Sequence, residues 1–176
     1  QPREWSEARS LDWFVLDNPL NQGVQRWVKA LNNLYNANDA LYANDSDVMG
    51  FEWIDCDHPD KGVVSFIRRG STPSKQLLFI CNFVPVEYDN YEVGAPCFTT
   101  YKEVLNSDDV QFGGAGRLNS GKIKAIDKKT ERMPYSISVT VPPLSTVVLE
   151  YDYTDVTPED ILKKKEAEKK AAAAKR

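Results

Sequence analysis

The sequence predicts a mainly β fold, an antiparallel β-sandwich with a helical segment before it and a solvated helix after it. From Phe51 onward, short β-branched and aromatic runs alternate with clusters of Gly, Pro, Asn and Asp, at the roughly 8–12-residue spacing of a sandwich or barrel. Before that point the apolar residues recur with a helical period, and beyond Tyr153 the chain becomes almost entirely Lys, Glu and Ala. With 176 residues, 41% of them hydrophobic, and four Trp, eight Tyr and seven Phe, the chain can bury a real core.

The opening segment, Gln1 to Trp13, is polar yet carries Trp5 and Trp13 beside Arg3, Glu4 and Asp12. An indole is large and its N–H needs a partner, so such a loop calls for a protein wall or a sugar-like ligand to stack on. It reads as the middle of a longer chain. After Asn21-Gln22-Gly23, the residues Val24, Trp27, Val28, Leu31, Leu34 and Tyr35 fall on one face of a helix, with Gln25, Arg26, Lys29, Asn32 and Asn33 opposite. Ala40-Leu41-Tyr42 reads as one further turn, capped by Asp39.

Strands are expected at 51–55, 63–69, 77–82, 91–93, 100–106, 122–125, 135–141 and 146–153. The first two connections, Cys56 to Gly62 and Gly70 to Ser74, carry turn chemistry that suits antiparallel neighbours. Leu77 to Cys81 is apolar on both faces, so a second layer must cover it, and Phe79 is expected to be buried. Tyr135 to Val141 alternates, with Tyr135, Ile137, Val139 and Val141 inward. Thr157 as N-cap, Pro158 in the first turn and the acids after it open a helix with almost no apolar stripe.

Composition excludes several functions. The net charge is −4, and the cations are scattered except at the C-terminal end, which argues against a nucleic-acid face. No apolar run approaches the roughly 18 residues that cross a membrane, and three cysteines in strand-like contexts suit a reducing compartment, so a cytoplasmic location is expected. His58, the single histidine, lies among Asp55, Asp57 and Asp60 without calcium-loop or zinc spacing and reads as part of a solvated hairpin. Gly113-Gly114-Ala115-Gly116 lacks the strand-to-helix context of a phosphate cradle, and Asp108 and Asp109 read as turn residues. No Ser-His-Asp or Cys-His device is legible, and no metal or cofactor is expected.

Arg3-Glu4-Trp5, Ser10-Leu11-Asp12-Trp13, Gly23-Val24-Gln25-Arg26, Leu31-Asn32 and Gly50-Phe51-Glu52-Trp53-Ile54 form a series that continues along the chain. Ser65 to Arg69, Cys81 to Val86, Tyr91 to Gly94, Glu103 to Asp108 and Val141 to Thr146 extend it. Read in this order, the chain from Gln1 to Tyr153 resembles the C-terminal part of bacterial 1,4-α-glucan (glycogen) branching enzymes, of the alpha-amylase superfamily. The resemblance implies that 1–49 is the last loop and helix of a (β/α)8 catalytic barrel. It makes 50–153 the alpha-amylase-type C-terminal all-β domain and leaves 154–176 as a charged helical tail.

Such enzymes cleave an α-1,4 link by a retaining double displacement and transfer the chain to a 6-hydroxyl, which needs an Asp nucleophile and a Glu acid/base. The resemblance places both acids upstream of this chain, so no catalytic residue is expected in it and the chain alone should be inactive. Barrel sites are built from loops at the strand C-termini, so Arg3, Glu4, Trp5, Asp12 and Trp13 are the candidates to line the edge of the glucan cleft. The implied partners are an α-glucan and the barrel in cis, and the unshared helical stripe predicts self-association of the chain by itself. A rival from another class is an autonomous carbohydrate-binding sandwich that uses Tyr88, Tyr91, Phe98 and Tyr101 as a stacking platform.

Overall fold

The computed structural model describes residues 3–174. A helix, α1 (Pro19–Ala37), precedes eight strands: β1 (Phe51–Asp55), β2 (Val63–Arg68), β3 (Gln76–Asn82), β4 (Tyr88–Ala95), β5 (Thr100–Asn106), β6 (Lys122–Lys124), β7 (Tyr135–Val141) and β8 (Thr146–Tyr151). A second helix, α2 (Pro158–Ala174), follows them. The strands form a six-stranded sheet in the order β1-β2-β3-β8-β5-β6 and a two-stranded sheet, β4-β7, with antiparallel pairing throughout.

The period of two divides the large sheet into an inner and an outer face. Ile67 of β2, Leu78 of β3 and Leu149 of β8 lie in register across neighbouring strands, as do Ser65, Ile80 and Val147. The apolar members meet Val93, Ile137, Val139 and Val141 of the small sheet in the main core. The half-exposed reading of β7 holds, with Ser138 exposed, although Ser136 is fully buried.

On the outer face, Leu77 and Val148 are completely buried, covered by Leu34 at the end of α1 and by Ala40 and Leu41 in the turn that follows. This is the second layer that the two-sided apolar pattern of β3 requires. Phe79, expected to be buried, is only half-buried. It lies farther along the outer face in a cross-strand aromatic ladder, Trp53–Phe66–Phe79, where the Phe66 and Phe79 rings stack at 4.9 Å and an interplanar angle of 4°. Phe51 stacks on Phe66 at 5.2 Å.

Helix α1 begins earlier than Val24. Asn18 caps it by accepting from the Leu20 N–H at 2.9 Å, and Pro19 occupies the first turn, where its missing N–H costs nothing. Gly23 is interior and buried because a Cβ there would sit 2.3 Å from the Phe112 carbonyl oxygen. The helix therefore docks on the loop after β5, where Trp27 meets Phe112 edge-on at 5.1 Å. Its apolar stripe is consequently split: Trp27 and Leu34 are half-buried, while Val24, Val28, Leu31 and Tyr35 remain exposed.

The following turn is Asp39–Leu41, and its cap is Asn38 rather than the expected Asp39, with the Asn38 side chain accepting from Ala40 N–H at 3.0 Å. Asp39 instead reaches the β2–β3 connection, accepting from the Ser71 N–H at 3.0 Å and the Ser71 hydroxyl at 2.5 Å, bonds that hold its carboxyl below the usual range. The Asn44 side-chain amide donates to the carbonyls of Arg69 and Gly70, and Arg68 pairs with Asp45, so residues 38–50 are stitched to one end of the large sheet.

At α2, Thr157 and Asp160 cap each other. The Thr157 hydroxyl accepts from the Asp160 N–H at 3.3 Å, and the Asp160 carboxylate accepts from the Thr157 N–H at 3.0 Å. Ile161 is half-buried and the side chains from Leu162 to Ala171 are exposed.

Candidate functional site

Trp13–Asp17 forms a short 3-10 helix, held to α1 by the Asn21 amide donating to the Val15 carbonyl at 2.8 Å and the Gln22 amide donating to the Leu16 carbonyl at 2.7 Å. Asp12 and Trp13 line a shallow depression with Leu11, Val15, Leu16 and Gln25, of about 260 Å³. Of the five residues singled out in the sequence, these two are thereby brought together on one surface. Arg3, Glu4 and Trp5 are exposed and do not line that depression; Trp5 is 74% and Trp13 62% exposed. An indole with most of its area in water has no covering wall among the described residues.

The aromatic platform of the rival reading is not assembled. Tyr101 is fully buried, and its hydroxyl donates to the Cys97 carbonyl at 3.0 Å, since it falls on the core-facing side of β5. Burial drives its phenol pKa far upward. Phe98 packs on Tyr135 at 5.3 Å, whereas Tyr88 and Tyr91 pair with each other at 5.3 Å. The four rings become one pair, one ring packed on Tyr135 and one core residue.

Asp108, read as a turn residue, organises the glycine-rich loop. Its carboxylate accepts from the N–H groups of Ala115 at 3.2 Å and Arg117 at 2.9 Å, and its carbonyl from that of Gly116 at 2.7 Å. A Cβ on Gly114 would lie 2.1 Å from the Asp108 carbonyl oxygen, so the glycine serves close backbone approach. Asp109 caps the short turn Val110–Phe112 by accepting from the Gln111 N–H at 3.0 Å. The same turn supplies Phe112, which receives α1. That loop is a docking device for the helix.

His58 lies in the β1–β2 connection with both carboxylate oxygens of Asp55 within reach of its Nδ1, at 2.8 and 3.0 Å. The hydrogen bond to Asp55 and its charge raise the imidazole pKa above the ordinary value of 6.5. Because the folded state favours the protonated ring, the stabilisation from this pair is complete below the unfolded value and disappears as pH rises through the folded one. A proton NMR titration of this single histidine should give a midpoint above 6.5, and Asp55→Asn should bring it back down. A native midpoint at or below the ordinary value would contradict the pair.

Among the described residues no group of three or more His, Cys, Asp or Glu side chains is placed to hold a metal, and no helix is long and apolar enough to cross a membrane. The family model of the alpha amylase C-terminal all-beta domain matches residues 53–152, from the Trp53 ladder to the end of β8. The chain belongs to that family. It is similar over 152 residues to the 1,4-alpha-glucan branching enzyme GlgB of Oceanobacillus iheyensis, at 38% identity, covering 86% of this chain and 24% of that protein.

The corresponding enzyme of Hydrogenovibrio crunogenus is 44% identical over 149 residues, 85% of this chain and 20% of that protein. That of Gloeobacter violaceus is 40% identical over 146 residues, 83% and 20% respectively. The chain thus spans between a fifth and a quarter of the length of these curated relatives. A solved alpha-amylase from H. orenii aligns over 68% of this chain and 18% of its own, at 19% identity and a TM-score of 0.37.

Proposed function

We propose that this chain is the C-terminal part of a cytoplasmic 1,4-α-glucan branching enzyme, which cleaves α-1,4 links and rejoins the released chain as an α-1,6 branch. The observation that carries the reading is the 38–44% identity to branching enzymes over 83–86% of the chain, a longer stretch than the 53–152 span of the β-domain match. The acid pair that performs the double displacement belongs to the preceding part of such an enzyme. Residues 1–49 are then the last loop and helix of the barrel, 50–153 its β domain and 154–176 an appended tail. In this arrangement Arg3, Glu4, Trp5, Asp12 and Trp13 line the distant edge of the glucan cleft, and the exposure of both indoles supports that role. The remaining exposed stripe of α1 faces the barrel.

Incubated with amylose, the 176-residue chain should form no α-1,6 links, whereas a longer form carrying the preceding barrel should shift the iodine spectrum and yield short chains on isoamylase digestion. Branches made by the chain alone, or none made by the longer form, would overturn the assignment.

A further inference from the structure

A cavity of about 220 Å³ opens where β1 of the large sheet meets β4 of the small one, apart from the loop of Trp5 and Trp13. Alternation along β1 sends Ile54 inward, next to a register shift between Trp53 and Asp55, and Ile54, Val93 and Gly94 form an apolar floor. Gly94 is also tight: a Cβ there would meet Ile54, Thr130 and Met133 within 2.9 Å.

Ser65 lines this cavity while being only 2% exposed as a residue. A serine hydroxyl lining a cavity offers a ligand both a donor and an acceptor. The Tyr91 ring forms one wall, with the Lys61 ammonium 5.9 Å from its centroid, and burial pushes its phenol up to about 12.

The charges on the rim choose the ligand class. His58 is engaged by Asp55, Arg132 pairs with Asp57, and Glu92 is held by Lys128 at 2.5 Å. An anion beside Lys61 would also face the carboxylates of Asp55, Asp57, Glu92 and Glu131, which outnumber the lining cations, so phosphate is disfavoured. A neutral ring with an apolar C–H face and several hydroxyls meets each requirement, with the face on Tyr91 and Ile54, and hydroxyls on Ser65 and on the carboxylate and guanidinium edges.

We infer that this cavity is a non-catalytic site for one terminal sugar unit of an α-glucan chain. The identity of the sugar rests on the branching-enzyme reading; the place and polarity of the site rest on the cavity.

The test is a titration of the isotope-labelled 176-residue chain with maltose, followed by amide NMR and by the single His58 imidazole signal, with inorganic phosphate as the second probe. Maltose should produce saturable shifts at Ser65, Tyr91, Gly94 and His58, and phosphate should not. Ser65→Ala should weaken binding several-fold, Tyr91→Ala tenfold or more, and Tyr91→Phe, which keeps the ring, much less. Spectra that stay native away from the cavity show that the variants fold.

Absence of maltose shifts at these positions, undiminished binding in both Ser65→Ala and Tyr91→Ala, or phosphate binding there in place of maltose would each overturn the inference. Maltose shifts confined to other residues would remove this site and leave the glucan reading standing. Maltose binding here alongside a longer form that makes no branches would remove the branching reading and leave the site.

Discussion

Leu78→Ala should destabilise the chain by about 2–5 kcal/mol, the cost of deleting a fully buried leucine and leaving a cavity. Leu78 points into the main core between the two sheets, in register with Ile67 and Leu149. Its neighbour Phe79 is on the outer face, half-buried. Phe79→Ala should therefore cost only roughly 1–3 kcal/mol, from partial burial and the ring stack on Phe66. Urea midpoints of the two variants decide the order. A larger loss at Phe79 than at Leu78 would mean that the inner and outer faces of β3 have been exchanged, which a one-residue shift in register would cause.

The second large effect concerns association. Val24, Val28, Leu31 and Tyr35 leave an exposed apolar strip along α1, next to Leu20, Phe14 and Trp13. Patches of this size rarely persist on soluble monomers, so sedimentation velocity should show concentration-dependent dimers or larger species. Truncation before Gly50 is not a clean control, because it also strips Leu34, Ala40 and Leu41 from Leu77 and Val148. Val28→Lys with Leu31→Lys keeps that cover, changes only exposed positions, and should return the chain to a monomer. A wild-type monomer at all concentrations, or oligomers unaffected by the double substitution, would refute association through the helix.

The strands were legible because period-2 alternation and turn residues are local signals, and most strand ends fall within a residue or two of their expected positions. β4 was underestimated. Its first half, Tyr88-Asp89-Asn90, is polar, contains Asn90 at φ 52° and is irregular against β7, so only pairing with that strand makes it part of the sheet. The start of α1 was written in Asn18-Pro19, a cap followed by a first-turn proline, but Gly23 in the next turn read as an entry signal instead.

Helical periodicity marks which residues share a face. It does not reveal that two different neighbours cover parts of that face and leave the remainder open, as Phe112 does at Trp27 and Leu77 does near Leu34. The stacking-platform reading places Tyr101 among the exposed aromatics, yet alternation along β5 sends it into the core. The cavity at Ser65 had no signal at all in the sequence, since it is assembled from β1, β2, β4 and the segment around Thr130.

In the proposed branching enzyme, the open stripe of α1 and the loop before it are seated against the preceding part of the chain. Covalent footprinting of apolar side chains, read by mass spectrometry on this chain and on a longer form that carries the barrel, tests it most directly. Val24, Val28 and Leu31 should be labelled readily in the 176-residue chain and protected in the longer form, with Val48, which is 85% exposed and lies outside the stripe, as the labelling reference in the 176-residue chain. Equal labelling of Val24, Val28 and Leu31 in both forms would contradict the claim.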